Sequence, residues 1–244
     1  MKRGPAISAL FGALLVASPV VAEDPPATWD GLVQVKSNRL DVVFLQPGAD
    51  FRTYTKVMID PTEVAFEKNW QRDYNRSTST LSGRVSDRDV QDAIRRAIVA
   101  ANDIFEDAWS EGGYTVVSEP GPDVLRVRPG VLNIEVNAPD VMTAGRTRSF
   151  APEAGQATYF VEVRDSLTGA LLGRAADQRI VGDNIAAYRN SVTNRADFRE
   201  EVKRWAELSV RGMNELKALS PINQQSGQGR EEGRKRCSAA KCLL

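Results

Sequence analysis

The sequence predicts an α+β domain: an antiparallel or mixed sheet with two amphipathic helices packed on it, in the approximate order ββαβββββα. Three observations predict it. Two stretches place apolar residues at steps of three and four, the period of a helix that buries one face. Several short runs alternate apolar and polar residues, as a half-buried strand does. Asp165-Ser166-Leu167-Thr168-Gly169 separates two such runs as a turn, with Gly169 suited to a left-handed position, so at least that pair is antiparallel.

The first helix is predicted to begin at Ser86, which can cap the free amide of Asp89 while Asp89 answers as in a capping box. Val85 and Val90 occupy the positions of a hydrophobic staple. Val90, Ala93, Ile94, Ala97, Ile98, Ala101, Ile104, Phe105 and Ala108 share one face, and Gly112-Gly113 ends the helix. The second helix is predicted from a cap at Asn194, with an apolar face of Phe198, Val202, Trp205, Ala206, Met213 and Leu216 and a stop before Pro221. Strands are predicted at Val42–Leu45, Lys56–Ile59, Tyr114–Ser118, Val124–Arg128, Leu132–Asn137, Ala157–Arg164 and Leu171–Ile180. Alternation is cleanest in Leu132, Ile134 and Val136 and in Tyr159, Val161 and Val163, and Pro129-Gly130 is expected to interrupt pairing or mark a bulge or edge.

The flanks set the boundaries. Lys2 and Arg3 precede an apolar stretch from Ala6 to Ala17, and Val20-Val21-Ala22 suits signal peptidase. The stretch is shorter than the roughly 20 residues that span a bilayer. Residues 1–22 are therefore expected to be a cleaved signal peptide, 23–28 an acidic, Pro-rich linker, 29–222 one domain and 223–244 a disordered polar tail. The expected location is the periplasm, possible peripheral membrane contact included, with no transmembrane helix after cleavage. Glu23 follows Ala22, so no cysteine stands there to take a lipid.

Composition excludes several chemistries. The chain has 244 residues, no histidine, and two cysteines, Cys237 and Cys242, both in the tail. Ser-His-Asp and Cys-His catalysis, His-ligated zinc and haem, and a thiolate metal site in the body all lack their residues. Neither a phosphate-binding P-loop nor a dinucleotide-binding glycine turn is present, so no cofactor is expected. Residues 23–222 hold 25 basic and 30 acidic residues, a formal charge of −5, which does not suit nucleic acid.

Carboxylates remain. Asp60, Glu63, Glu67, Asp140, Glu153, Asp165, Asp177 and Asp183 are candidates for paired acid–base work, provided two face each other at about 5–10 Å. Three polar clusters form a candidate binding surface. Trp70, Arg72, Tyr74 and Arg76 interleave aromatic and basic groups, which stack on and hydrogen-bond sugars, peptides or partner proteins, although the same aromatics also serve to anchor a loop. Arg146 and Arg148 lie in a basic loop suited to an anion. Arg189 and Arg195 flank the start of the last helix. No metal ligands or catalytic residues are assigned.

Short segments spread along the body carry a resemblance. Trp29-Asp30-Gly31-Leu32-Val33, Tyr54 to Pro61, Val64-Ala65-Phe66, Trp70 to Asn75, Gly113-Tyr114, Pro122 to Leu125, Ala138-Pro139-Asp140, Gly155-Gln156-Ala157, Asp165 to Gly169 and Asn194 to Phe198 occur in order. Together they resemble the bacterial family called domain of unknown function 3313, over residues 29–220. The resemblance implies an envelope protein of unassigned activity, akin to lipoproteins, and brings no catalytic residues. The expected function is a non-catalytic binding or accessory module with envelope proteins, lipid or glycan as partners. The alternative is a carboxylate-dependent hydrolase acting on envelope glycans.

Overall fold

The computed structural model describes residues 28–78, 81–137, 149–150, 154–182, 188–189 and 191–223. The predicted signal peptide, most of the linker and nearly all of the tail lie outside these residues, as do Arg146 and Arg148.

The elements run β1 (Thr28–Trp29), β2 (Leu32–Val35), β3 (Val42–Leu45), β4 (Lys56–Ile59), β5 (Glu63–Phe66), α1 (Trp70–Ser77), α2 (Asp87–Glu111), β6 (Thr115–Val116), β7 (Val124–Val136), β8 (Ser149–Phe150), β9 (Gly155–Asp165), β10 (Leu171–Val181), β11 (Tyr188–Arg189) and α3 (Ser191–Leu219). Nine strands form one mixed sheet in the order β1-β2-β3-β10-β9-β7-β4-β6, with β5 also paired to β7. β4 and β5 follow one another along the same edge of β7, both parallel to it, while β9 pairs antiparallel on its other side. The fold is therefore the predicted α+β class, with three helices and additional short strands.

Local chemistry explains these elements. Asp30 and Gly31 both take positive φ, 50° and 82°, which makes the two-residue turn that folds β1 onto β2. Ser86 and Asp89 form the predicted capping box, and Gly113, at φ 88°, turns the chain out of α2. In the β9–β10 turn, Asp165 Oδ1 accepts from the Leu167 and Thr168 amides at 3.2 and 2.7 Å, and Gly169 sits at φ 69°.

The structure corrects four local expectations. Trp70–Ser77 is a helix. It is only 8 residues long and buries none of them. Tertiary bonds hold it: Asn75 accepts from the Val85 amide and donates to the Val85 carbonyl, both at 2.8 Å. Pro129-Gly130 does not interrupt β7, which is continuous and pairs Pro129 with Val161. The Val127 carbonyl accepts from the Asp60 amide, so in the part of β7 before Asn133 the odd-numbered residues aim their main-chain groups at β4 and β5. Pro129 falls where β4 has ended at Ile59 and β5 has not yet begun at Glu63, and there a missing N–H leaves no ladder bond unmade.

The alternation through Leu132, Ile134 and Val136 is broken by a register shift around Asn133, at φ 51°. Val131 and Ile134 reach the core instead, and Leu132 does not. Finally, Asn194 is not a cap. α3 begins at Ser191, and Asn194 lies buried in its first turn.

α2 and α3 pack against each other on one face of the sheet. Tyr159 of β9 is stacked between Phe105 of α2 and Trp205 of α3, at ring separations of 5.9 and 5.5 Å. Its hydroxyl meets Ser209 Oγ at 2.7 Å, so the buried ring keeps its polar end satisfied. The opposite face carries ion pairs instead: Arg126–Asp60, Arg128–Glu63, and a chain Arg164–Glu162–Arg174–Asp30. Trp29 lies over Arg174 at 4.5 Å and edge-on to Phe44, which explains why so exposed a tryptophan opens the domain. Among the described residues, no helix is long and apolar enough to cross a membrane.

Candidate functional site

The helix layer meets the sheet tightly at the Phe105–Tyr159–Trp205 stack and separates from it towards both ends. Two cavities result, one at each end.

The larger has a volume of about 770 Å³. Its floor is the helix-facing side of β3, β9 and β10, through Val43, Leu45, Val161, Val163 and Ala175. Its roof is the C-terminal half of α3, through Leu208, Gly212, Met213 and Leu216, and its mouth is the loop 36–41 between β2 and β3. Ser37 Oγ accepts from the amides of Arg39 and Leu40 at 3.1 Å, which fixes the loop's turn. Arg39 then reaches Glu215 at 2.7 Å across the mouth. Both side chains are about half exposed, so this contact positions more than it stabilises.

Gly212 is the unusual member. It stands inside a 29-residue helix, where glycine costs roughly 1 kcal/mol against alanine. A Cβ at that position would meet nothing within 4 Å. Gly112, at the end of α2, differs: a Cβ there would lie 2.3 Å from Val210 Cγ1. Packing explains Gly112 and does not explain Gly212, whose missing side chain leaves room in the cavity.

Behind this cavity, Trp109 is buried with no described acceptor for its indole N–H. Tyr114 donates to Asn214 Oδ1 at 2.8 Å, and burial pushes its phenol up to about 12. Lys217 lies over the Tyr114 ring at 4.4 Å, its ammonium pKa lowered by desolvation.

The smaller cavity, about 340 Å³, opens between the N-terminal halves of α2 and α3 over β5 and β7. Of the residues singled out from sequence, Trp70 and Arg195 come together in its wall. Trp70 stacks between Phe66 and Tyr74, at 4.6 and 5.8 Å, and its indole N–H reaches the Val136 carbonyl at 3.3 Å. Arg72 and Arg76 both pair with Asp73 and line neither cavity. Arg189 is described by its backbone in β11, where it pairs with Ser149 of β8. Sequence reasoning missed Arg39, Glu215, Gly212, Arg96 and Arg199. Only Gly212 carried a legible signal, a lone glycine in a strong helical pattern.

Four of the candidate carboxylates are held by neighbours, and a fifth, Glu67, lines neither cavity. Asp60 and Glu63 pair with arginines, Asp165 binds its turn and the Tyr54 hydroxyl, and Asp177 accepts from Arg179 and from Trp205 Nε1. Asp140, Glu153 and Asp183 lie outside the described residues. Glu201 has a raised pKa, chiefly because burial penalises its charge, yet it lines neither cavity and its Oε2 is held by Arg204 at 2.8 Å. No group of three or more metal-ligating side chains occurs among the described residues.

The chain is similar to two solved structures. A PelC dodecamer from Paraburkholderia phytofirmans aligns at 12% identity and a TM-score of 0.36, over 70% of this chain and 95% of that one. Protein XCC0632 from Xanthomonas campestris aligns at 11% identity and a TM-score of 0.39, over 71% and 91%. No curated protein matches the chain. The family model described as a protein of unknown function, DUF3313, matches residues 23–209, nearly the whole folded body and the segments that carried the resemblance, and the chain belongs to that family.

Proposed function

We propose that the domain is a non-catalytic binding module of the cell envelope that takes an apolar ligand into the larger cavity. The observation that carries this reading is the cavity of about 770 Å³ with an apolar floor and roof, a size within the range of ligand sites, roughly 300–1,000 Å³. Gly212 supports it, because a helix retains a costly glycine there with no steric need for one. The carboxylates lend no comparable support to hydrolysis, since Asp60, Glu63, Asp165 and Asp177 are tied to arginines, a turn or the Trp205 indole and Glu67 lines neither cavity. Periplasmic residence rests on the basic and apolar N-terminus ending at Ala22.

The test is titration of the full chain with Nile red, a neutral dye whose emission shifts to the blue in apolar surroundings. The expected result is one saturable site, lost in Gly212→Phe, whose ring would fill the space, with the circular dichroism spectrum unchanged. A folded Gly212→Phe protein that binds the dye as the parent does would end the reading.

A further inference from the structure

We propose that the smaller cavity is a second, separate site, which takes a fatty-acid-like anion: one acyl chain bearing a carboxylate. Its floor is apolar, formed by Val64 and Phe66 of β5, Ala93 and Ala97 of α2, and Phe198 and Val202 of α3. The two alanines add little bulk to the lining, and the groove's volume of about 340 Å³ suits a single chain. Trp70 contributes to the wall beside Phe66.

The rim supplies the choice of head group. Arg96 of α2 and Arg195 and Arg199 of α3 all line the groove. Arg96 and Arg199 make no ion pair with any described carboxylate, although the body as a whole carries an excess of acid. The nearby acids are already committed. Asp89 also lines the groove, accepts from the Ser86 amide and hydroxyl at 2.9 and 2.6 Å and feels the Arg96 charge only weakly beside those bonds, and Asp92 is shared by Arg88 and Arg95. Two guanidinium groups without an ion pair, above an apolar floor, complement a molecule with an anionic end and a hydrocarbon body. The guanidinium fork matches a carboxylate in shape as well as charge. The chain provides affinity in proportion to the area it removes from water, and the arginines provide preference for the ionised head.

The experiment uses the full chain, with cis-parinaric acid as the fluorescent probe and dodecanoate and dodecanol as competitors. Dodecanoate is expected to displace the probe at a concentration about tenfold below dodecanol, the combined effect of two partly exposed ion pairs. Arg96→Ala/Arg199→Ala is expected to bring dodecanoate to the dodecanol value while leaving dodecanol unchanged, and Gly212→Phe to leave both unchanged. Equal displacement by acid and alcohol in the parent would overturn the proposal. So would an unaltered acid preference in the double arginine variant, loss of the probe in Gly212→Phe, or binding to anionic vesicles without uptake of the monomeric acid. The Nile red titration fails or succeeds independently, since it reads the other cavity.

Discussion

Glu162 and Glu201 are both almost fully buried, yet their carboxyls move in opposite directions. Glu162 lies on the sheet face away from the helices. Burial there pushes its pKa up, but hydrogen bonds from Arg164 at 2.6 Å and Arg174 at 2.8 Å outweigh it and hold the carboxyl below the usual glutamate range. Glu201 lies on α3. Burial again pushes upward, Arg204 and Arg179 pull back less, and the negative charge of Asp177 adds to the rise. The difference teaches that burial alone does not set the sign. One face meets a buried acid with two well-placed guanidinium groups and is an ion-paired lattice. The other is an aromatic and aliphatic core in which a charge is poorly compensated.

The largest expected effect tests the covered face. Trp205→Ala removes one side of the Tyr159 stack and the indole donor to Asp177, and is expected to cost about 3–5 kcal/mol in urea unfolding. Trp29→Ala on the open face, where the ring is 41% exposed, is expected to cost much less. Equal losses would break the contrast between the two faces.

The two glutamates come next. Glu162→Gln is expected to lose about 1–3 kcal/mol at pH 7. A depressed folded pKa means that the parent's advantage is present above the unfolded glutamate pKa and lost as pH falls through the folded one, so parent and variant converge in acid. Glu201→Gln is expected to do the reverse. Its folded pKa is raised, so the folded state holds the proton more tightly, and stability falls as pH rises from the ordinary glutamate range through the folded value. The variant escapes that loss and is expected to gain up to about 1 kcal/mol at pH 7, the gain disappearing in acid. Urea midpoints across pH measure both. Two substitutions that destabilise equally at pH 7 would remove the distinction.

The smallest effect sharpens the comparison within the helix layer. Gly212→Ala is expected to stabilise by about 0.5–1 kcal/mol through helix propensity, because its methyl enters open space. Gly112→Ala is expected to destabilise, because its methyl would collide with Val210. Thermal melts of the two variants compare them directly.

Much of the fold was legible in the chain, for reasons tied to local chemistry. The Ser86–Asp89 cap, the stripe from Ala101 to Phe105, and the Asp165–Gly169 turn act over a few residues, and the structure forms each as read. α1 was not legible, because Asn75 and Gln71 hold it by bonding to Val85, across a loop. The unbroken pairing at Pro129 was not legible either, because it depends on where β4 and β5 end on a neighbouring edge. Trp70 and Arg195 share a wall, yet nothing in their 125-residue separation along the chain announces it.

The sequence by itself determined the class of fold, the helix that starts at Ser86, the absence of imidazole and of body thiols, and membership of a family recognisable from short ordered segments. These depend on composition and on periods of two and 3.6 residues, which any stretch of chain carries within itself. Tertiary structure alone decided which buried acid is matched by arginines, where the helices part from the sheet, and that Gly212 faces open space. Those are properties of surfaces built from distant segments, and they exist only once β3, β9, β10 and α3 have been brought together.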